Sequence, residues 1–280
     1  MAELVAEAIR SKKHLIVQAG TGTGKTLAYL VGALLAGKRT VVATATKALQ
    51  DQLATKDLPF VAEQLAALGH EFEWAVLKGR SNYVCLQRLH EATTATGQEA
   101  LDLGLGGADA RSHVLKAEIR RLADWAGDSP TGDQAELDWA PSDQAWKTVS
   151  VGSDECPGKD RCRLGAQCFA EQARTQAAAA DVVVVNTHLY GLNVGAEGAI
   201  LPEHDVVVFD EAHVIEDVMS DTVGVQLAPG RFSAVAAAVR RILADARIEA
   251  ELAELVPALR DALSPHAGER LRNPFPEAIE

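Results

Sequence analysis

The sequence Ala19-Gly20-Thr21-Gly22-Thr23-Gly24-Lys25-Thr26 decides the fold. The four residues before it, 15–18, are mostly apolar and predict a buried strand, and residues 27–36 after it predict a helix. A strand, a glycine-rich turn and a helix in this order form a phosphate cradle, because backbone N–H groups and the positive end of the helix dipole face an anion. Lys25 is then expected to reach the β- and γ-phosphates, and the Thr26 hydroxyl to ligate Mg²⁺. The segment therefore predicts nucleoside triphosphate binding.

The composition is that of a globular protein. The chain has 280 residues, of which 48% are hydrophobic and 24% charged. No apolar run approaches membrane-spanning length and the N-terminus lacks a secretory pattern, so we expect no membrane partner and a cytoplasmic location. The net charge of −12 argues against a surface coated for nucleic acid. A local basic track between residues 78 and 174 stays possible, and so does an ordinary solvated helix surface.

Alternating strand and helix patterns predict an α/β fold with a parallel sheet and helices on both faces. Strand patterns lie at residues 39–44, 72–77, 181–185 and 205–209, and helical patterns at 2–10, 57–68 and after 213. The alternation stops at residues 80–176, which are charged and helical and then polar with Trp125, Trp139 and Trp146. We interpret this stretch as an insertion between sheet strands. From residue 230 the chain is Ala-rich and helical, and its tail from 264 looks irregular.

Two carboxylates follow the hydrophobic segment 205–209 directly. Phosphoryl transfer needs charge neutralisation and an oriented water, which such a pair supplies if it faces the phosphate loop. We expect Asp210 to hold Mg²⁺ together with Thr26, Glu211 to orient or deprotonate the attacking water, and His213 to sense the γ-phosphate or couple to a neighbouring segment. The alternative is an acidic helix N-terminus that the helix dipole favours. Lys25, Asp210, Glu211 and His213 are the predicted catalytic residues.

A second polar group, Thr44, Thr46 and Gln50, lies where the strand at 39–44 ends. Ligands gather at the carboxyl ends of strands in such sheets, so these residues are candidates for binding. The alternative is that they cap the following helix and do nothing more.

The four cysteines of the chain are Cys85, Cys156, Cys162 and Cys168. Because the sheet continues at each end of the insertion, Cys85 and the other three can meet in space. A cytoplasmic set of this kind is more often a metal site than a pair of disulfides. Four thiolates suit tetrahedral zinc or an iron–sulfur cluster. The spacing of five residues favours a cluster over zinc knuckles but leaves zinc, and unrelated thiols, open.

These motifs together resemble the iron–sulfur superfamily 2 DNA helicases of the XPD/DinG type, and more closely their bacterial DinG branch. Residues 19–26 are similar to motif I of that family, 44–53 to motif Ia, and Asp210-Glu211-Ala212-His213 to the DEAH form of motif II. Segment 77–85 resembles the stretch that carries the first cluster ligand, and segment 185–189 resembles an Asn-His-His-Leu stretch with Thr187 in place of a His.

The resemblance implies an ATP-dependent helicase that moves 5′→3′ on single-stranded or forked DNA. It implies a four-iron–four-sulfur (4Fe-4S) cluster on the four cysteines, with Mg²⁺ and ATP at the phosphate loop. We expect Thr44, Thr46 and Gln50 to contact DNA. Arg80 and Arg163 of the basic insertion are expected to do so too, with aromatic stacking by its tryptophans.

The predicted organisation is a RecA-like motor domain 1 in two parts, residues 1–79 and 177–222. The cluster insertion occupies residues 80–176, and a truncated helical arch occupies 223–280. The family's adenine-contacting Gln motif and second motor domain have no counterpart, so we expect a monomeric motor half that hydrolyses almost no ATP alone. Two alternatives remain: a DNA-binding iron–sulfur module without turnover, and a P-loop ATPase with structural zinc.

Overall fold

The computed structural model describes residues 1–20, 22–95, 110–153, 155–223, 235 and 246–266. The chain divides into two units, Met1–Val223 and Gly224–Glu280. In the second unit the structure describes helix Ala246–Leu263 and a 3₁₀ turn at Ser264–His266. Of the Ala-rich segment predicted to be helical from residue 230, residues 230–234 and 236–245 lie outside the described residues, as does the tail from 267.

A parallel sheet of four strands organises the first unit, in the order β2-β3-β1-β4. Its strands are β1 (Thr40–Thr44), β2 (Trp74–Val76), β3 (Val182–Asn186) and β4 (Val206–Phe209). Strand β1 pairs with β3 and β4 on its two sides. Runs of valine form the central strands because these strands are buried on both faces. The predicted α/β fold is confirmed.

Helices cover both faces of this sheet. Val42, Val182 and Val184 pack on one side against residues of the helices at 25–35 and 58–66. Val41, Val183 and Val185 point to the other side and pack against Ala177 and Leu189. The alternation follows from the two-residue period of a strand. Among the described residues of the first unit, on the sheet and in the segment between β2 and β3, the α-helices are α1 (Ala2–Arg10), α2 (Lys25–Leu35), α3 (Lys47–Gln52), α4 (Leu58–Ala66), α5 (Leu86–Thr94), α6 (Ala110–Asp128), α7 (Asp143–Val149), α8 (Phe169–Ala179), α9 (Thr187–Gly195) and α10 (Ile215–Val223).

The segment between β2 and β3 has a hydrophobic core of its own. Leu115, Ile119 and Leu122 of α6 form its centre, with Val149 and Trp146 of α7. Backbone hydrogen bonds join this core to the segment that follows β2, since the amides of Val84 and Cys85 donate to the carbonyls of Gly132 and Val149 respectively. The insertion is mainly helical where it is described. Its predicted limits at 80 and 176 stay a prediction.

One predicted strand is wrong. Residues 15–18 form no strand: the Ile16 side chain is 95% exposed, and Leu15 and Val17 are also exposed. Strand β1 has both edges occupied by β3 and β4, and residues 15–18 pair with neither sheet edge. An apolar run that finds no ladder partner has nothing against which to bury its side chains.

No helix in the described parts of the chain is both long and apolar enough to cross a membrane.

Candidate active site and cysteine cavity

The phosphate loop leads directly into helix α2. Gly24 is the N-cap of α2 with φ 76°, and Gly22 has φ 75°. Both values lie in the left-handed region that glycine adopts without a steric cost. The Thr23 hydroxyl donates to the Gly20 carbonyl at 2.8 Å and closes the turn. Lys25 is therefore the first residue of a helix whose free N–H groups face the loop, which is the arrangement that binds phosphate. Thr21 lies outside the described residues.

The loop and the DEAH segment meet through one ion pair. Lys25 Nζ lies 3.0 Å from Glu211 Oε1, and both side chains are partly exposed. The hydrogen bond from Lys25 lowers the pKa of Glu211, and the same bond raises the pKa of Lys25. The structure thus brings together two of the predicted catalytic residues, which are 186 positions apart in the sequence.

Tyr29 joins the two predicted magnesium ligands. Its hydroxyl donates to Asp210 Oδ2 at 3.3 Å and also hydrogen-bonds the Thr26 side chain. Burial raises the pKa of Tyr29, and the Asp210 carboxylate raises it further. Motif reasoning missed this residue. The signal in the sequence is its spacing: Tyr29 lies four positions after Lys25 and three after Thr26, on the same face of the helix.

Glu211 adopts a strained backbone conformation at the end of β4. Its φ of 57° is in the left-handed region, which costs a residue with a side chain about 1–2 kcal/mol. Its amide donates to Asp210 Oδ1 at 3.0 Å, and a 3₁₀ turn at Ala212–Val214 follows. His213 Nδ1 lies 3.4 Å from Glu211 Oε2, and the imidazole is mostly exposed. The turn therefore gathers the three DEAH side chains at the carboxyl end of the sheet.

Two of the residues predicted to contact DNA are buried. Thr44 is fully buried, and its carbonyl accepts a hydrogen bond from Thr187 Oγ1 at 3.0 Å. Gln50 is also fully buried, and its amide nitrogen donates to the carbonyls of Leu77 and Val184. Their side chains hold the sheet together and are not on its surface. Contact of Thr44 and Gln50 with DNA stays a prediction, and neither side chain is open to a DNA strand in this structure.

Thr46 is exposed and caps α3, since its hydroxyl accepts from Leu49 N at 3.2 Å. Arg80 is only 14% exposed and is paired with Glu171, and its contact with DNA stays a prediction. Arg163 is exposed. Of the five residues predicted to contact DNA, Thr46 and Arg163 stay available for it.

The tryptophans of the insertion belong to its core. Trp146 is buried, and its indole N–H donates to the Ser81 carbonyl at 2.9 Å. Trp125 and Trp139 pack against the same core. The Arg121 guanidinium lies 4.2 Å from the centre of the Trp139 ring. One face of Trp139 is thereby covered, and the buried Trp146 ring offers no stacking face to a nucleotide base.

All four cysteines line one cavity of about 260 Å³ in the insertion. None of them forms a disulfide, and burial raises the pKa of the Cys85 thiol. Although burial lowers the pKa of Arg80, the Glu171 hydrogen bond and the nearby charges, including Cys156 and Cys168, raise it above its usual value. Within the described residues, no three His, Cys, Asp or Glu side chains converge closely enough to hold a metal ion. The thiols thus surround a common space without meeting at one point.

Residues 2–95, which include the phosphate loop and strands β1 and β2 of the parallel sheet, match the DEAD/DEAH box helicase family. The chain is a relative of DinG-type helicases. It is 38% identical over 277 residues, 94% of its length, to the ATP-dependent helicase DinG of Mycobacterium tuberculosis. It is 40% identical over 232 residues, 81% of its length, to the ATP-dependent DNA helicase YoaA of Escherichia coli.

A third relative is the ATP-dependent DNA helicase DinG of Photobacterium profundum, 30% identical over 233 residues, which are 78% of the chain. The chain spans 41%, 34% and 32% of the lengths of these three relatives. The predicted resemblance to the DinG type is confirmed by these matches.

Proposed function

We propose that the chain is the ATP-binding motor part of an ATP-dependent DNA helicase that moves 5′→3′ on single-stranded or forked DNA. One observation carries the proposal: Lys25 of the phosphate loop lies 3.0 Å from Glu211 of the DEAH turn. This contact places the phosphate-loop ammonium and the DEAH carboxylate at one edge of the sheet, within reach of one bound nucleotide. The relatives' printed names, ATP-dependent helicase and ATP-dependent DNA helicase, support the same function.

Each residue of this site then has a chemical role. The backbone amides at the start of α2 and the Lys25 ammonium bind the triphosphate, for which Lys25 exchanges its Glu211 partner. Thr26 and Asp210 hold Mg²⁺, which offsets phosphate charge, and Tyr29 orients the Asp210 carboxylate. Glu211, released from Lys25, accepts a proton from the attacking water, and His213 hydrogen-bonds Glu211.

A nucleotide titration tests this part of the proposal. A fluorescent ATP analogue with Mg²⁺ is titrated into the wild type, Lys25→Ala and the control Lys38→Ala. Lys38 is exposed and pairs only loosely with Asp205, at 3.9 Å. We expect Lys25→Ala to weaken binding by about tenfold or more, because a charge-assisted contact to phosphate is lost, and Lys38→Ala to leave it unchanged. Equal affinities of all three proteins would overturn the proposal.

We propose further that the cysteine cavity holds a 4Fe-4S cluster. A tetrahedral zinc ion needs four sulfurs within about 4 Å of one another, because each Zn–S bond is about 2.3 Å. The cysteines instead surround a cavity of about 260 Å³, which suits a bound group with a volume of its own. The four free thiols are also the donor set that such clusters use. When bound, the cluster cross-links the segments that carry Cys85, Cys156, Cys162 and Cys168.

Metal analysis of protein reconstituted without oxygen tests the cluster. We expect iron and inorganic sulfide in equal amounts and a broad visible absorbance that Cys85→Ser removes. Zinc at one ion per chain with no visible band would favour a P-loop ATPase with structural zinc instead.

Strand polarity is measured with a protein of the relatives' length, by unwinding of duplexes that carry a 5′ or a 3′ single-stranded tail. We expect the 280-residue polypeptide alone to show little DNA-stimulated hydrolysis.

A further inference from the structure

A buried lysine lies outside the nucleotide site, between the sheet and the insertion. The Lys78 side chain is 6% exposed, and its Nζ lies 2.6 Å from Asp133 Oδ2 and 3.2 Å from Asp51 Oδ1. A buried ammonium is stable only when carboxylates or other acceptors replace its water. Here its two partners come from different parts of the unit, since Asp51 lies on α3 beside the sheet and Asp133 lies in the insertion.

Helix α3, which carries Asp51, is bonded to the sheet. Gln50, the neighbour of Asp51, is fully buried and donates to the carbonyls of Leu77 and Val184. The Leu77 amide in turn donates to the Val184 carbonyl. Helix α3 is therefore hydrogen-bonded to the residue that follows β2 and to the middle of β3, and Lys78 follows Leu77 directly.

The Asp133 side leads to Cys85. Asp133 and Tyr83 form an isolated antiparallel bridge, and the Tyr83 hydroxyl accepts from the Lys78 amide at 3.1 Å. The Gly132 carbonyl accepts from the Val84 amide at 2.9 Å. The segment that Lys78 holds through Asp133 is thus bonded to the residue directly before Cys85.

The same segment leads to Cys168. Gly132 lies so close to the ring of Phe169 that a Cβ atom placed on it would be 2.3 Å from Phe169 Cδ2. Phe169 is buried and follows Cys168 directly. Two of the four cysteines are therefore adjacent to residues that contact the Gly132–Asp133 segment.

We propose that Lys78 is a positioning residue for the cysteine cavity. By sharing its ammonium between Asp51 and Asp133, Lys78 fixes the walls that carry Cys85 and Cys168 relative to the sheet. The identity of the group bound in the cavity rests on the proposed function. The role of Lys78 in placing the thiols does not depend on it. The proposal is therefore testable in protein with and without iron.

The first measurement is the rate at which a thiol reagent modifies the metal-free, folded 280-residue chain. We expect Lys78→Met to raise this rate by roughly tenfold or more, because the broken pair leaves the mostly buried Asp133 carboxylate uncompensated and modification follows the population of opened molecules. Lys38→Met, which removes an exposed lysine, is expected to leave the rate unchanged. Asp133→Asn, which keeps an oxygen to cap Ala135, is a second variant should Lys78→Met not fold.

Two comparisons separate positioning from a general loss of stability. The double variant Lys78→Met/Asp133→Asn is expected to react no faster than Lys78→Met within about twofold, because both changes break the same pair. Leu122→Ala removes a fully buried side chain of the insertion core. At equal free energy of unfolding, set with urea, we expect Leu122→Ala to expose the thiols less than Lys78→Met does.

The proposal is overturned if Lys78→Met modifies its thiols at the wild-type rate. It is also overturned if the rate increases of the two single variants multiply in the double variant, or if Leu122→Ala exposes its thiols as much as Lys78→Met does. After reconstitution, Lys78→Met is expected to lose iron to a chelator several-fold faster than the wild type. The visible spectrum at full loading reports the cluster's thiol ligands and is expected to stay unchanged, because all four cysteines are kept. If the wild type binds no iron, the cluster proposal fails, and the thiol rates still decide the role of Lys78.

Discussion

Replacing Gly132 by alanine tests how tightly the insertion is packed around its cysteines. Gly132 has φ 64°, in the left-handed region. A Cβ atom at this position would lie 2.3, 2.5 and 2.9 Å from three atoms of the Phe169 ring. The ring is buried and cannot swing into solvent, so either Phe169 or the backbone must move. Gly37 offers a matched control, because it has φ 62° and open space around its Cα.

The expected loss of stability has two parts. Placing alanine in the left-handed region costs about 1–2 kcal/mol, of which the stiffer unfolded chain returns about 0.4–1 kcal/mol. Gly37→Ala is therefore expected to lose about 1 kcal/mol of unfolding free energy. Overpacking against a buried ring adds about 1–3 kcal/mol, so Gly132→Ala is expected to lose about 2–4 kcal/mol.

Urea unfolding followed by tryptophan fluorescence measures both variants, and Trp125, Trp139 and Trp146 all report from the insertion. Because Phe169 follows Cys168, we also expect faster thiol modification in Gly132→Ala and not in Gly37→Ala. Equal losses of stability in the two variants would refute the reasoning, since they would show that the ring yields at no cost. A crystal structure of Gly132→Ala in which neither Phe169 nor the backbone at residue 132 has moved would do the same.

Three further predictions concern the nucleotide and DNA sites. Tyr29→Phe is expected to weaken binding of the magnesium nucleotide about fivefold in a fluorescence titration, because one hydrogen bond of about 1 kcal/mol to the first DEAH carboxylate is lost. Gln50→Met is expected to lower the free energy of unfolding, measured in urea, by about 1–3 kcal/mol and to leave the affinity for single-stranded DNA unchanged. Arg163→Ala is expected to lower that affinity and to reduce the slope of log affinity against log salt by about 1. The hydrogen bond from Lys25 lowers the pKa of Glu211, so the wild type is expected to have a larger free energy of unfolding than Glu211→Gln at pH 7. This difference is expected to disappear as the pH falls below the usual carboxyl pKa of 4.5. A difference between the two proteins that grows in acid would contradict the prediction.

The sheet could be predicted from the sequence because its signal is local. The valines of β3 occupy consecutive positions, and such a run is typical of a strand buried on both faces. The order of the phosphate loop before α2 and the carboxylates after β4 likewise follows from short segments of known geometry. Their meeting at Lys25 and Glu211 is a consequence of the parallel fold, in which the carboxyl ends of the strands share one edge.

The polar residues near that edge were harder to predict. Thr44 and Gln50 end on buried carbonyls, and Arg80 ends on Glu171 in the cysteine cavity. A polar side chain that follows a strand can bind a ligand or satisfy the backbone of a neighbouring strand, and its residue type suits both uses. The choice depends on partners that are distant in sequence. Glu171, for example, lies 91 positions from Arg80.

The exposed segment before the phosphate loop shows the same limit for apolar residues. Leu15, Ile16 and Val17 have the composition of a buried strand, yet all three are exposed. Composition reports that burying them would be favourable, but a strand also needs a neighbour that offers unpaired N–H and C=O groups in register. Strand β1 offers none, because β3 and β4 take both of its edges. Strand β4 keeps an outer edge that no described strand pairs, and its four residues are only partly buried. Residues 15–18 do not take that edge, so an apolar composition and an unpaired edge are together not sufficient to form a strand.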